Sequence, residues 1–161
     1  MPIAIRPTPP DHPQVRALIA ELDAYLATLY APEDNHLLDI EALKHPSVSF
    51  LGAWDGAAVV GCGAVRVMPG ESETDGARYG EIKRMYVQPA RRGERIAGSL
   101  LAALEDELRR QAVDRALLET GRDQAEALRL YARRGYAARG PFGGYPDNGL
   151  SVFMEKRWTT A

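Results

Sequence analysis

Three arginines stand where a helix is predicted to begin. The stretch VQPARRGERIAGSLL (residues 87–101) places Arg91, Arg92 and Arg95 between a predicted strand and a predicted helix. The partial positive charge of a helix N-terminus disfavours each cation by about 0.3–1 kcal/mol. Backbone N–H groups at a helix start bind anions, and the small residues Gly93 and Ala97 let a phosphate approach the backbone. The stretch therefore favours a phosphate-binding turn, with a solvated arginine-rich loop as the alternative; neither GxxxxGK[ST] nor GxGxxG occurs in it.

The strand predicted just before this turn changes its alternation of apolar residues. Ile82 is apolar at an even position, whereas Met85 and Val87 are apolar at odd positions. Such a change indicates an inserted residue, a β-bulge, which leaves backbone groups unpaired near Arg84 to Tyr86. A strand buried on both faces would give the same pattern, so both interpretations stay open.

The apolar pattern predicts the elements that position these residues. A strand at 2–6 is followed by a helix with Asp11 as its N-cap and by a short helix within 37–45. Asp55-Gly56 is typical of a hairpin turn between two strands. The full predicted order is β-α-α-β-β-β-α-β-α-β-β, in which a central strand–helix–strand unit requires a mixed sheet. In the helix after the arginines we expect an apolar stripe, with Glu105/Arg109 and Asp106/Arg110 paired outside.

Composition limits the classes of protein to which the chain can belong. Its 161 residues fit a single domain, 1–161, and a hydrophobic content of 45% with 26% charged residues is typical of a soluble globular protein. A net charge of −2 argues against a nucleic-acid binder. One cysteine, Cys62, excludes an internal disulfide, and we expect it to be a buried structural thiol. The sequence has no apolar run of about 18 residues and no secretory signal, so we expect a cytoplasmic protein without membrane partners. The three histidines do not have the spacing of metal ligands, so we expect no metal.

The motifs EIKRMYVQPARRGERIAGSLLAALE, LLETG and AEALRLYARRGY resemble the GCN5-related N-acetyltransferase (GNAT) superfamily. The resemblance covers the whole chain in element order. The family signature Arg/Gln-x-x-Gly-x-Gly/Ala reads Arg92 to Ala97 here, with Arg95 in place of the usual middle glycine. The implied fold is α/β (α+β), a mixed, mostly antiparallel, splayed sheet of about seven strands with helices on both faces. The implied cofactor is acetyl-CoA, with CoA as product.

The resemblance also implies a cofactor site. The pyrophosphate would lie on the backbone N–H groups of the turn, where Arg95 either pairs with a phosphate, which we favour, or loosens the binding. The pantetheine arm would pair with the strand edge opened by the bulge, and Gln124 stands where relatives often carry an asparagine. The implied cofactor-binding residues are Met85, Tyr86, Val87, Arg92, Gly93, Glu94, Arg95, Ile96, Ala97, Gly98, Ser99, Gln124 and Tyr131.

Two residues are the catalytic candidates. Tyr131 matches the tyrosine of the family pattern Leu-Tyr-x-x-x-Gly-Tyr/Phe, whose hydroxyl can protonate the leaving thiolate. Glu81, on the strand before the bulge, is the candidate base that takes a proton from the attacking amine, and Glu119 on the neighbouring strand is a second candidate. From the residues alone, a tyrosine on an amphipathic helix such as Tyr131 is more often a core residue than a catalytic one, and Glu81 fits a surface strand and a base equally well.

The acceptor is expected to be a small primary amine, held by the first helix and its loop. The residues that fit this role are Tyr25, Tyr30, Glu33, His36, Glu119 and Tyr145, although Tyr25 also fits the core and the acidic residues also fit a solvated surface. The leading hypothesis is N-acetylation of a small molecule in a ternary complex. A non-catalytic CoA-binding module and acylation of protein N-termini or lysines are the alternatives. A homodimer is also considered, because we expect the C-terminal strand LSVFMEK to be an apolar edge of the sheet that needs cover.

Overall fold

The fold was described from a computed structural model, which describes residues 2–35 and 37–159. Seven strands and four α-helices occur in the predicted order, with short 3-10 turns between them. The strands are β1 (Ala4–Pro7), β2 (Val48–Asp55), β3 (Ala58–Met68), β4 (Tyr79–Val87), β5 (Arg115–Gly121), β6 (Ala137–Arg139) and β7 (Ser151–Arg157). The helices are α1 (Pro13–Leu29), α2 (Ile40–Leu43), α3 (Ile96–Arg110) and α4 (Ala125–Arg133).

The strands form one mixed sheet in the order β1-β2-β3-β4-β5-β7-β6. β4 and β5 run parallel, with Gly80 opposite Ala116 and Glu81 opposite Leu117, while β5 and β6 both pair antiparallel with β7. The predicted fold class is confirmed. The expected apolar edge is wrong, because β7 lies between β5 and β6, and the argument for a homodimer loses its basis.

The chain separates into two compact units, each made of two segments. The first unit contains the residues up to Val65 together with Lys83–Leu104. In it, even residues of β3 such as Cys62 and Ala64 pack with the buried face of α1. The odd positions Gly61 and Gly63 face α3, because an added Cβ would lie 3.4 Å from Leu100 at one and 3.2 Å from Leu104 at the other. Helices therefore cover both faces of β3, as the alternation of a strand allows.

The second unit contains Arg66–Ile82 and the residues from Glu105 onward. One face of its sheet carries an aromatic core cluster of Tyr79, Leu117, Phe142 and Phe153. The opposite face is covered by α3, since a Cβ added at Gly80 would lie 2.3 Å from the Leu108 side chain.

The predicted N-cap of α1 is wrong. The N-cap of α1 is His12, whose Nδ1 accepts the Gln14 N–H at 3.1 Å, and not Asp11. Pro13 then occupies the first helical position, where its missing N–H costs nothing.

The predicted ion pairs along α3 are also wrong. Glu105 is buried at 3% exposure and binds Tyr136 and Lys156 instead of Arg109. Arg109 pairs with Asp106 one position nearer, at i,i+3. The apolar stripe is present, with Leu100, Leu101, Leu104 and Leu108 fully buried.

Candidate active site

The centre of β4 contains the predicted bulge. Arg84 has a left-handed backbone, φ +56°, inside the strand. Before Arg84, the even-numbered residue Gly80 faces α3. After it, the odd-numbered residue Met85 faces α3, because a Cβ added at Gly63 on the neighbouring strand would lie close to both the Met85 Sδ, at 2.5 Å, and Leu104 of α3, at 3.2 Å. The facing parity changes by one residue, as a bulge requires.

The Arg84 side chain explains why a non-glycine residue occupies this conformation. It is 4% exposed, forms an ion pair with Asp23 of α1 and donates from Nε to the Leu38 carbonyl at 2.9 Å. Tyr86, two residues further along, donates its hydroxyl to Glu21 of α1 at 3.1 Å. The bulge is thus tied to α1 and to the loop that follows it.

The arginine-rich turn after β4 is partly neutralised by its own carboxylates. Arg91 pairs with Asp55 at 2.9 Å and with Glu94 at 2.8 Å, and this hydrogen bond from Arg91 lowers the pKa of the Glu94 carboxyl. Arg92 donates to the Val87 carbonyl at 3.2 Å. Arg91 is thus already paired with two carboxylates, and the phosphate-binding turn stays a prediction.

Arg95 occupies a glycine-like conformation. Its φ is +63°, next to Gly93 at +89°, so the usual glycine of the signature corresponds to a backbone requirement at this position. The Arg95 side chain is exposed, and no hydrogen bond or ion pair of its guanidinium is found within the described ranges.

The start of α3 presents unpaired backbone donors. The first bond inside the helix runs from Ser99 N–H to the Arg95 carbonyl at 3.1 Å, so the N–H groups of Ile96, Ala97 and Gly98 have no acceptor in the helix. The Ser99 hydroxyl returns to the same carbonyl at 3.2 Å. The turn therefore has the donor set that binds phosphate oxygens.

In the second unit, Glu81 lies at the centre of a buried polar cluster. Its carboxylate is 2% exposed; Oε1 accepts from Arg66 Nη2 at 3.1 Å, and Oε2 accepts from the Tyr145 hydroxyl. Burial and the charge of Glu81 raise the pKa of Tyr145, and Glu119 contributes in the same direction, so Tyr145 is a neutral donor at physiological pH. Glu81 is therefore no surface residue.

Glu119 lies on the same sheet face as Glu81. Because Glu81 is opposite Leu117 in parallel register, Glu119, two positions along β5, shares that face. Its Oε2 accepts from the Ser151 hydroxyl at 2.7 Å. The structure thus brings the predicted residues Glu81, Glu119 and Tyr145 to one face of the sheet, with Arg66 and Ser151, which the sequence analysis did not name, bonded to them. A charged residue inside the apolar run GAVRVM was the available signal for Arg66.

Tyr145 is carried by the loop that joins β6 to β7. The loop contains three glycines with left-handed backbone, Gly143, Gly144 and Gly149. The Gly143 N–H donates to Glu71 at 2.6 Å, which anchors the segment beside Tyr145.

Tyr131 lies on the opposite face of the sheet from Glu81. Its ring contacts that of Tyr136 at 5.7 Å, and the Tyr136 hydroxyl donates to Glu105 of α3 at 2.9 Å. Burial raises the pKa of Tyr131, so its hydroxyl stays protonated at neutral pH. No hydrogen bond of that hydroxyl is found among residues 2–35 and 37–159.

The remaining predicted residues are spread over several elements. Gln124 is the N-cap of α4, without a side-chain capping bond. Tyr25 is 44% exposed and so is not a core residue, Glu33 is exposed, and Tyr30 packs against the core of the first unit. His36 lies outside the described residues.

The described part of the chain contains neither a cluster of metal ligands nor a membrane-spanning helix. No group of three or more His, Cys, Asp or Glu side chains there is arranged to hold a metal ion. No helix there is long and apolar enough to cross a bilayer.

Comparison with known proteins defines the class of enzyme. The family model "Acetyltransferase (GNAT) family" matches residues 15–136, and the chain belongs to this family. It is therefore a GNAT-type acetyltransferase, as the sequence motifs predicted.

Individual relatives agree with this assignment. The chain is 50% identical over 139 residues to an IAA acetyltransferase of Azospirillum brasilense, covering 86% of this chain and 87% of the relative. A crystal structure of a putative acyl-CoA N-acyltransferase from Klebsiella pneumoniae matches with a TM-score of 0.77 at 36% identity, covering 96% of this chain and 97% of that one. The fold also matches PaiA N-acetyltransferase of Thermoplasma acidophilum in complex with coenzyme A, at 18% identity, with a TM-score of 0.73 and coverage of 98% and 100%.

Proposed function

We propose that this acetyltransferase moves the acetyl group of acetyl-CoA to the primary amine of a small molecule, by direct attack in a ternary complex. The observation that carries the proposal is the Glu81 carboxylate, buried at 2% exposure and oriented by two donors, Arg66 and Tyr145. A thioester is attacked by a neutral amine, whereas an alkylammonium has a pKa of about 10 in water. A positioned carboxylate supplies the base that this reaction needs.

Acetyl-CoA is the cosubstrate of this proposal. The PaiA structure with coenzyme A supports the choice through its fold. The pyrophosphate is assigned to the donor-rich start of α3, where Ile96, Ala97 and Gly98 present N–H groups, with Arg92 and Arg95 as cationic partners. The pantetheine arm is assigned to the bulged segment Met85–Val87, whose neighbour Arg84 breaks the regular strand geometry.

The transfer then runs in balanced steps. Glu81 takes a proton from the amine, directly or through a water, as the amine nitrogen bonds to the thioester carbonyl carbon. An N–H near Met85 or Tyr86 stabilises the oxyanion. The C–S bond breaks, and the Tyr131 hydroxyl, kept protonated because burial raises its pKa, gives its proton to the thiolate. The nitrogen loses its second proton as the amide forms; this proton restores the Tyr131 hydroxyl, and Glu81 releases the first proton to solvent. The products are an acetamide and CoA.

The test is thiol release from acetyl-CoA over a panel of small amines, with mass detection of the acetylated product. Glu81→Gln is expected to lower kcat about 10²–10⁴-fold because it removes the base, with an unchanged KM for acetyl-CoA. Tyr79→Phe is the matched control, since the tyrosine–carboxylate hydrogen bond that it removes goes to Glu71 and not to Glu81. CoA binding without turnover on any amine or peptide would instead indicate a non-catalytic module, and turnover of peptides alone would indicate a protein acetyltransferase.

A further inference from the structure

Arg66 has a buried donor that nothing in the protein satisfies. Its Nε is inaccessible to solvent, and it has no hydrogen-bond partner among the described residues. Buried side-chain donors almost always have a partner, and each exception in a native structure calls for an explanation. An acceptor supplied by a bound molecule is one such explanation.

The rest of the Arg66 guanidinium is held at the proposed base. Nη2 contacts Glu81 Oε1 at 3.1 Å, while the Arg66 side chain keeps 29% exposure. Arginine carries five donors in a planar fork that matches a carboxylate. The contact to Glu81 uses one donor of this fork, and the exposed part of the side chain is where a bound acceptor would approach the remaining donors.

The neighbouring carboxylates are already occupied. Glu71 accepts from Tyr79 and from the Gly143 N–H, and Glu119 accepts from Ser151. The carboxylate on Arg66 itself, Glu81, takes a proton in the proposed reaction. Among the described residues, Glu81 is the one carboxylate that forms an ion pair with Arg66, so a second anionic partner would be supplied by a bound molecule.

We infer that the acceptor is an α-amino acid, whose carboxylate binds the free edge of Arg66 while its amine lies at Glu81. The inference rests on the proposed function, because it places the reacting amine at Glu81. The spacing supports the α position. Glu81 and Arg66 are in direct contact at 3.1 Å, so groups bound to each must be neighbours within the acceptor, as the amine and carboxylate of an α-amino acid are.

The experiment compares matched acceptors rather than single rates. The twenty common amino acids are screened by thiol release, and the best is compared with its decarboxylated amine and its α-amide. The amide is less basic and the decarboxylated amine more basic than the amino acid, so a preference for the acid over both does not reflect amine basicity. We expect kcat/KM for the acid to exceed both by at least tenfold.

Variants then locate the preference. Arg66→Gln should reduce the acid-to-amine ratio to near one, and Arg66→Lys, which keeps the charge but loses the fork, to an intermediate value. Because both acceptors use Glu81, any disturbance of the base cancels in the ratio. Tyr145→Phe is the matched control: it removes the other donor to Glu81, so it should lower both rates and leave the ratio unchanged.

Several outcomes would overturn the inference. A wild-type ratio near one, or a high ratio that survives in Arg66→Gln and Arg66→Lys, would do so. Calorimetric binding of the amino acid to the CoA-loaded protein separates this from failure of the proposed function. If no amine turns over but the amino acid binds and Arg66→Gln abolishes that binding, the Arg66 site stands and the transfer proposal fails; if the amino acids neither react nor bind, the Arg66 site is refuted.

Discussion

Replacing Arg95 separates the two properties that this residue combines, a left-handed backbone and an exposed cation. A non-glycine residue in the left-handed region costs about 1–2 kcal/mol. Glycine removes that cost but adds about 0.5–1 kcal/mol of conformational freedom to the unfolded chain. Arg95→Gly should therefore be about 1 kcal/mol more stable than Arg95→Ala, which keeps the φ of +63°. For a chain of this size that is a difference of about 2–4 °C in Tm.

Cosubstrate binding should respond to the side chain rather than to the backbone. Both variants lose the guanidinium, so both should raise the KM for acetyl-CoA by a similar factor. An exposed ion pair contributes little to a binding free energy, about 0–1 kcal/mol. The increase in the KM for acetyl-CoA is therefore limited to about fivefold, and added salt should make this increase smaller.

The assay is thermal unfolding without ligand, together with thiol-release kinetics at varied acetyl-CoA. Gly93→Ala is the control for backbone strain, because its φ is +89° and an added Cβ meets nothing within 4 Å; it should lower Tm. If Arg95→Gly were no more stable than Arg95→Ala, the strain assigned to this position would be absent. If Arg95→Gly bound acetyl-CoA more tightly than wild type, close approach of the backbone would outweigh the guanidinium.

Three further predictions concern stability. In urea unfolding, Gly80→Ala should destabilise the protein by about 1–3 kcal/mol through overpacking, because its Cβ would lie 2.3 Å from a leucine side chain of α3. Gly140→Ala is the control and should be nearly neutral, because its Cβ would meet nothing within 4 Å. Burial raises the pKa of Cys62 from 9.0 to about 12. The stabilisation by the neutral buried thiol is therefore complete below pH 9 and is lost as the pH rises towards 12, by about 1.4 kcal/mol per pH unit. The free energy of unfolding of wild type relative to Cys62→Ala should fall over that range, and an unchanged difference would contradict the buried thiol. Tyr136→Phe should cost about 1–3 kcal/mol in the same measurement, because it removes a donor from buried Glu105, and a neutral effect would show that the remaining lysine bond suffices.

The sequence predicted best what depends on local pattern. The boundaries of β5 match the predicted RALLETG segment, and Gly135 ends α4 with a φ of +93°. The bulge was indicated by the parity of Ile82 and Met85, because alternation is a property of neighbouring residues. The grouping of Glu81 with Glu119 followed from two adjacent parallel strands.

The errors involve partners that are distant along the chain. Glu105 looked exposed from its helix position, but its partners Tyr136 and Lys156 arrive from 31 and 51 residues away. The edge assignment failed because strand order is a tertiary property, and the three-residue β6 takes the edge beside β7. The charge of Arg66 inside an apolar run marked it as unusual, but its partner Glu81 lies on another strand, so the local pattern did not identify the contact.

In the proposed function, the β6–β7 loop supplies Tyr145 to the acceptor site without taking part in the strand pairing of the sheet. Tyr145 reaches Glu81 from a segment whose neighbours 146–149 are exposed and which contributes nothing to the β5–β7 ladder, paired from Arg115–Arg157 to Gly121–Ser151. Surface loops accept insertion and substitution far more readily than sheet strands do. This segment is therefore where duplicated copies of the gene can diverge in acceptor range at small cost to folding. A library randomised at 146–148, with Gly143 and Tyr145 retained, is the natural starting point for directed evolution of this enzyme.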